Sequence, residues 1–244
     1  HKSQLVYVEN YVSLDSVGIM NLSIQVAGII TIFSVAFGKA WQPYVFTSKN
    51  VVEASRKIKD SFLQYSSVIF FISLIVIFFA NDIITFIAPD YSDSVNYIKL
   101  FTIIIAFSSI NLIPSSFLLF NKKASYTQIP QILSGFTCLL LNIILINKFQ
   151  LAGAVISFAI SSFLNLIVQF AVSQKVFKID FDYFSFLKLS LIYSSIILLS
   201  FYWDNYEIGL SMTIIKMLFL LIFITMVLLL NILDYKNLIK QINI

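Results

Sequence analysis

Long apolar runs set the pattern of this chain, separated by short polar breaks. The runs are near 20 residues and do not alternate, so they predict membrane-length helices rather than barrel strands. Seven full helices are expected, over residues 16–38, 61–80, 96–120, 126–147, 151–173, 184–203 and 209–231. Residues 1–12 are too short to span and read as the end of a preceding helix, with Asp15 or Ser16 suited to cap the next one. Residues 39–60 form the longest connection. It reads either as an amphipathic surface helix, with Val51, Val52 and Ile58 toward lipid, or as a solvated loop. The tail from Asp234 to Ile244 alternates Lys with apolar residues and is expected at the surface.

Composition agrees with this reading. Of the 244 residues, 59% are hydrophobic and 11% charged, against about 25% charged in soluble domains. Only apolar helices or closed barrels satisfy their backbone groups in lipid, so the fold class expected is an all-α integral membrane protein. Charge then sets orientation. Lys39, Lys49, Arg56, Lys57, Lys59, Lys122, Lys123, Lys175, Lys178, Lys188, Lys236 and Lys240 fall on one set of connections, and Asp15, Asp82, Asp90, Asp93, Asp204 and Glu207 on the other. The positive-inside rule makes the Lys-rich side and the C-terminus cytoplasmic. The net charge of +4 is explained by these lysines and calls for no nucleic acid. Residue 1 is not Met, which reads as a cut point inside a longer protein.

Polar residues within the apolar runs are the candidate chemistry. In the first full helix Gly18, Asn21, Gln25 and Gly28 fall within about 80° of one another. Such a face suits the wall of a hydrophilic cavity or hydrogen bonding between helices. Gly153, Ser157, Ser161, Asn165 and Gln169 recur every four residues and favour close helix packing. Pro114, among Ser108, Ser109, Asn111, Ser115 and Ser116, predicts a kink and a candidate hinge. Lys216 either snorkels to the interface or pairs with an anionic substrate. His1 and Lys2 would lie inside the membrane, where a cation has phosphate as its natural partner. Cys138 stands alone, no Cys/His cluster suggests a metal, no paired carboxylates adjoin a nucleophile, and no Gly-rich phosphate loop is present. No catalytic residue, metal or cofactor is expected, and the chain reads as a non-enzyme.

The order of motifs resembles that of the bacterial polysaccharide flippases, the O-antigen and capsule repeat-unit translocases of the MATE-like exporter superfamily. The resemblance is carried by Ser13-Leu-Asp-Ser-Val-Gly-Ile-Met20, Ala36-Phe-Gly-Lys-Ala-Trp-Gln-Pro-Tyr-Val-Phe46, Pro89-Asp90-Tyr91, Asn121-Lys-Lys-Ala-Ser-Tyr126 and Asn147-Lys-Phe-Gln-Leu-Ala-Gly-Ala-Val-Ile156. Met20 stands where such proteins usually have Tyr, Gln150 where they often have Gly, and His1-Lys2 where an acidic-basic pair is common. The resemblance implies the C-terminal lobe of a two-lobed transporter over residues 1–174, followed by two extra helices and a cytoplasmic tail over 175–244. It implies a bacterial inner-membrane protein that flips undecaprenyl-diphosphate-linked oligosaccharides by alternating access. Its partners would be that substrate, membrane lipids and an N-terminal lobe. Asn21 and Gln25, with Lys2 and His1, would line the cavity, and the last two helices would flank a groove for the lipid tail. Other readings are a MATE-type drug exporter, a membrane polymerase or ligase of lipid-linked sugars, and a structural membrane subunit.

Overall fold

The structure, a computed structural model, describes residues 14–176, 178–203 and 210–229. His1, Lys2, the partial helix over 1–12 and the tail lie outside these residues. The described chain is helical, with no strand among the described residues, and six of its helical segments are long and apolar enough to cross a membrane. The all-helical membrane class read from the sequence is therefore borne out.

The elements are α1 (Leu14–Ala27), α2 (Ile29–Phe46), α3 (Val51–Phe78), α4 (Ala80–Ile87), α5 (Ser94–Ser109), α6 (Leu112–Phe120), α7 (Gln128–Val176), α8 (Tyr183–Trp203) and α9 (Leu210–Leu229). Short 3₁₀ turns at Pro89–Tyr91 and Ala124–Thr127 precede α5 and α7.

Two boundaries depart from the sequence reading. The first full helix does not stop at residue 38. It continues through Lys39, Trp41 and Pro43 to Phe46, and Thr47 N–H bonds the Pro43 carbonyl at 3.0 Å. The expected surface helix or loop over 39–60 is replaced by a tight turn at 47–50 and the first turns of α3. Asn50 caps α3 by accepting the Glu53 N–H at 2.9 Å, and the Glu53 carboxylate accepts the Lys49 N–H at 3.0 Å. Ile58, expected toward lipid, is fully buried with Ala54.

The 53-residue span over Ala124–Val176 is broken at Gln150, whose φ of 52° and ψ of −127° are not helical. Asn165 Nδ2 donates to Ser134 Oγ at 3.0 Å across 31 residues. In a straight helix these residues would be about 46 Å apart. The arms over 128–149 and 151–176 therefore fold back as an antiparallel hairpin. Gly153 permits the tight corner, because a Cβ there would lie 2.2 Å from the Leu145 carbonyl oxygen.

α3 is the centre of the bundle. Phe62 meets the rings of Phe170, Phe181 and Phe186, while Phe70 stacks on Tyr193 at 4.2 Å and meets Phe107 edge-on at 5.0 Å. Phe223 of α9 stacks on Phe71. Thus α8 and α9 share one core with α3. A second core joins Met20 and Ala27 of α1 to Phe101 and Ile104 of α5 and to Ile146, Leu151 and Ala154 at the hairpin corner. Many serines inside the helices close bonds to carbonyls one turn back, as Ser66 does to Phe62 and Ser67 to Leu63, which satisfies those hydroxyls where water is absent.

Candidate functional site

α1 packs by Met20, Ser23, Val26 and Ala27. Ser23 Oγ bonds the Ile19 carbonyl at 2.7 Å and the Ser94 carbonyl at 3.3 Å. Opposite these, Asn21 and Gln25 are exposed, one turn apart on a single face. The predicted four-residue face is thus divided. Gly18 belongs to packing, with the Tyr91 ring 2.9 Å from where its Cβ would lie, and Gly28 marks the bend between α1 and α2. Asn21 and Gln25 are left as polar side chains on the outer surface of a 32-residue span. Amide groups at that depth are costly against lipid and favourable against water or a polar solute.

The other polar stripe turns inward. Gly153, Ser157, Ser161 and Gln169 are buried, and Ser157 bonds the Gly153 carbonyl while Ser161 bonds the Ser157 carbonyl. This stripe is helix packing, as its spacing suggests.

Pro114 is buried in the first turn of α6 and lacks the N–H that would bond the Ile110 carbonyl. That carbonyl instead takes the Ile113 N–H at 3.3 Å, and the helix breaks at Ile110–Asn111. Tyr65 meets the break directly. Its hydroxyl donates to the Ser109 carbonyl at 3.0 Å and receives Ser34 Oγ at 2.7 Å. Beside it, Asn111 Nδ2 donates to Asn165 Oδ1 at 2.8 Å, and Asn165 passes the link on to Ser134. The kink is therefore joined by hydrogen bonds to α2, α3 and both arms of α7. Sequence reading found Pro114 and Asn111 and missed Tyr65. An aromatic hydroxyl in an otherwise apolar run was the available signal.

The lysines divide similarly. Lys216 of α9 pairs with Asp82 of α4 and lies over the Phe79 ring. Its side chain thus has a protein carboxylate as partner. Lys99 of α5 is 2% exposed and donates to the Ser200 carbonyl in the last turn of α8 at 3.1 Å, a favourable place for a cation. These two lysines fasten α8 and α9 to the bundle. At the opposite end Lys59 pairs with Asp180 at 3.0 Å.

Among the described residues, no group of three or more His, Cys, Asp or Glu side chains gathers as a metal site. Comparisons with protein-family models, curated proteins and solved structures return no match.

Proposed function

We propose that this chain is one lobe of a membrane transporter that passes the polar head of a lipid-linked oligosaccharide across a bilayer. The observation that carries the reading is the exposure of Asn21 and Gln25 on the membrane-length span α1–α2, while the serines and amides of the bundle interior largely bond within the protein. The motif resemblance to polysaccharide flippases supplies the substrate class, an undecaprenyl-diphosphate-linked repeat unit. On this reading the two arms of α7 are separate crossings, which gives seven. The Lys-rich end carrying the 47–50 turn, Lys122 and Lys123 is cytoplasmic. The exposed amide face of α1 turns toward a second lobe across a hydrated cavity, and rocking of the two lobes opens it to each side in turn. The groove of about 180 Å³ between Ser67, Val68 and Phe71 of α3 and Phe223, Ile224 and Val227 of α9 is almost wholly apolar and fits a hydrocarbon tail. No covalent step is needed.

The test is a cell in which the full-length gene is deleted and then complemented. Deletion should strand single lipid-linked repeat units on the cytoplasmic leaflet. An Asn21→Leu/Gln25→Leu protein should be present at the parent's level, with thermal stability within about 0.5 kcal/mol of it because both sites are exposed, yet reduce transfer by roughly tenfold or more. Units accumulating on the outer leaflet would identify a polymerase or ligase. Absence of any accumulation would point to export of another solute. A double variant that transfers like the parent would remove Asn21 and Gln25 from the path.

A further inference from the structure

We infer that the break between α5 and α6 is a two-position joint, latched in its bent position by the Tyr65 hydroxyl and controlled from α2. The inference goes beyond the transport reading and does not depend on it.

The two positions follow from the backbone donors and acceptors around Pro114. In a continuous helix the Ile113 N–H would reach the Ser109 carbonyl, and the Ile110 carbonyl would face an N–H that Pro114 lacks. Ile110 is buried, so that carbonyl would be unpaired away from water. In the bent form the Ile113 N–H turns to the Ile110 carbonyl at 3.3 Å. The Ile110 and Asn111 N–H groups likewise bond only three residues back, to Phe107 and Ser108, each at 3.2 Å. Regular helix resumes where the Ser115 N–H bonds the Asn111 carbonyl at 3.1 Å. The Ser109 carbonyl has then lost its helical donor, and the Tyr65 hydroxyl replaces it at 3.0 Å. Backbone alone thus leaves one carbonyl unpaired in either form, Ile110 when straight and Ser109 when bent. That equality brings the two forms near balance. Tyr65 supplies the donor that completes the bent one.

The latch is held from α2. A carbonyl can only accept, so Tyr65 donates its one phenolic proton to Ser109, and the 2.7 Å bond with Ser34 is donated by the serine. The Tyr65 ring also lies 4.5 Å from the ring of Phe37 on α2. One turn after Ser34, Gly38 lies so close to α6 that a Cβ there would come 3.1 Å from Leu112 Cδ1. α2 therefore touches the joint on both sides, through Tyr65 before the break and at Leu112 after it. Displacing α2 withdraws the phenol from Ser109. α6 then swings toward the line of α5 and carries Lys122 and Lys123, just beyond its end, with it.

The experiment uses the full-length protein in nanodiscs, with every native cysteine, Cys138 included, replaced by serine. Nitroxide labels go on Leu100→Cys in α5 and Lys122→Cys beyond α6, both exposed, and double electron–electron resonance reads the distance between them. In the parent a short distance should predominate. Pro114→Ala, which restores a donor for the Ile110 carbonyl, should give a longer one and defines the straight position. Tyr65→Phe keeps the ring and removes the hydroxyl. It should raise the ratio of long to short about fivefold, the loss of one hydrogen bond. Ser34→Ala should raise the ratio by a smaller factor, and Ser67→Ala, on α3 but away from the joint, should match the parent. Equal elution on size exclusion would show that the variants fold. A Tyr65→Phe protein with the parent's distribution overturns the latch. An unchanged distance in Pro114→Ala means that the joint has one position and overturns the inference outright. A Ser34→Ala protein that matches the parent, while Tyr65→Phe does not, overturns control from α2 alone.

Discussion

The most apolar 18-residue stretches of the spans Val51–Phe78 and Ala124–Val176 have the same mean hydropathy, 2.1, yet 61% of the first stretch is buried and only 33% of the second. In a bilayer an apolar side chain gains little by choosing a neighbouring helix over lipid, because both are equally apolar. Shape and aromatic contact decide the centre instead. α3 holds it because Phe62 and Phe70 find rings on α5, α7 and α8. The α7 hairpin is held by particular points, a strained corner at Gln150, the small residue Gly153 and the Asn165–Ser134 bond.

The largest expected effect tests that contrast at its centre. Phe70 is fully buried between Tyr193 and Phe107. Phe70→Ala should cost about 3–5 kcal/mol, the range for an aromatic core deletion. Ile132→Ala on α7, where the side chain is 70% exposed, should cost less than about 0.5 kcal/mol. Reversible unfolding in mixed micelles measures both. Similar costs for the two would mean that burial does not separate α3 from α7.

A smaller effect of opposite sign belongs to the hairpin corner. Gln150 holds a positive φ that favours glycine. Gln150→Gly should relieve this and raise stability by about 1 kcal/mol in the same unfolding measurement. A loss of stability would mean that the Gln150 side chain, rather than its backbone, shapes the corner.

Much of this arrangement was legible in the chain. Apolar length located the spans, and Pro114 located the break in the α5–α6 segment. The error lay where polarity and helix end do not coincide. Lys39, Trp41 and Pro43 look like a corner, but a proline near a helix C-terminus removes one bond and leaves the next, from Thr47 to Pro43, intact. The true boundary had its own signal, Asn50 followed three residues later by Glu53. Which face of α1 would be exposed was not legible, because a period of 3.6 groups Gly18 with Asn21 and Gln25 alike. Only packing showed Gly18 against Tyr91 and the two amides outside. Nothing in the sequence paired Lys216 with Asp82 across 134 residues, or set Tyr65 at the Ser109 carbonyl.

The smallest effect concerns how the cover over α3 is started. Asp182 precedes α8, and its carboxylate accepts the Ser185 N–H at 2.9 Å and the Ser185 hydroxyl at 2.7 Å. These bonds, helped by Lys188 and Lys59, hold its pKa below the ordinary carboxylate value. A depressed pKa stabilises the fold above the unfolded-chain value near 4, and the contribution fades as pH falls through the lower folded value. Asp182→Ala should therefore cost about 1 kcal/mol at neutral pH, as for other N-cap losses. The gap from the parent should begin to narrow as pH falls below about 4, where the unfolded chain's carboxyl takes up its proton, and close only below the lower folded value. Phe181, beside it, packs on Phe62 at 4.9 Å, so near-ultraviolet circular dichroism should show the aromatic cluster loosening with the first turn of α8. A stability gap that stays constant down to pH 3 would mean that Asp182 acts by occupying space rather than by its charge, and that the cover over α3 owes nothing to the cap.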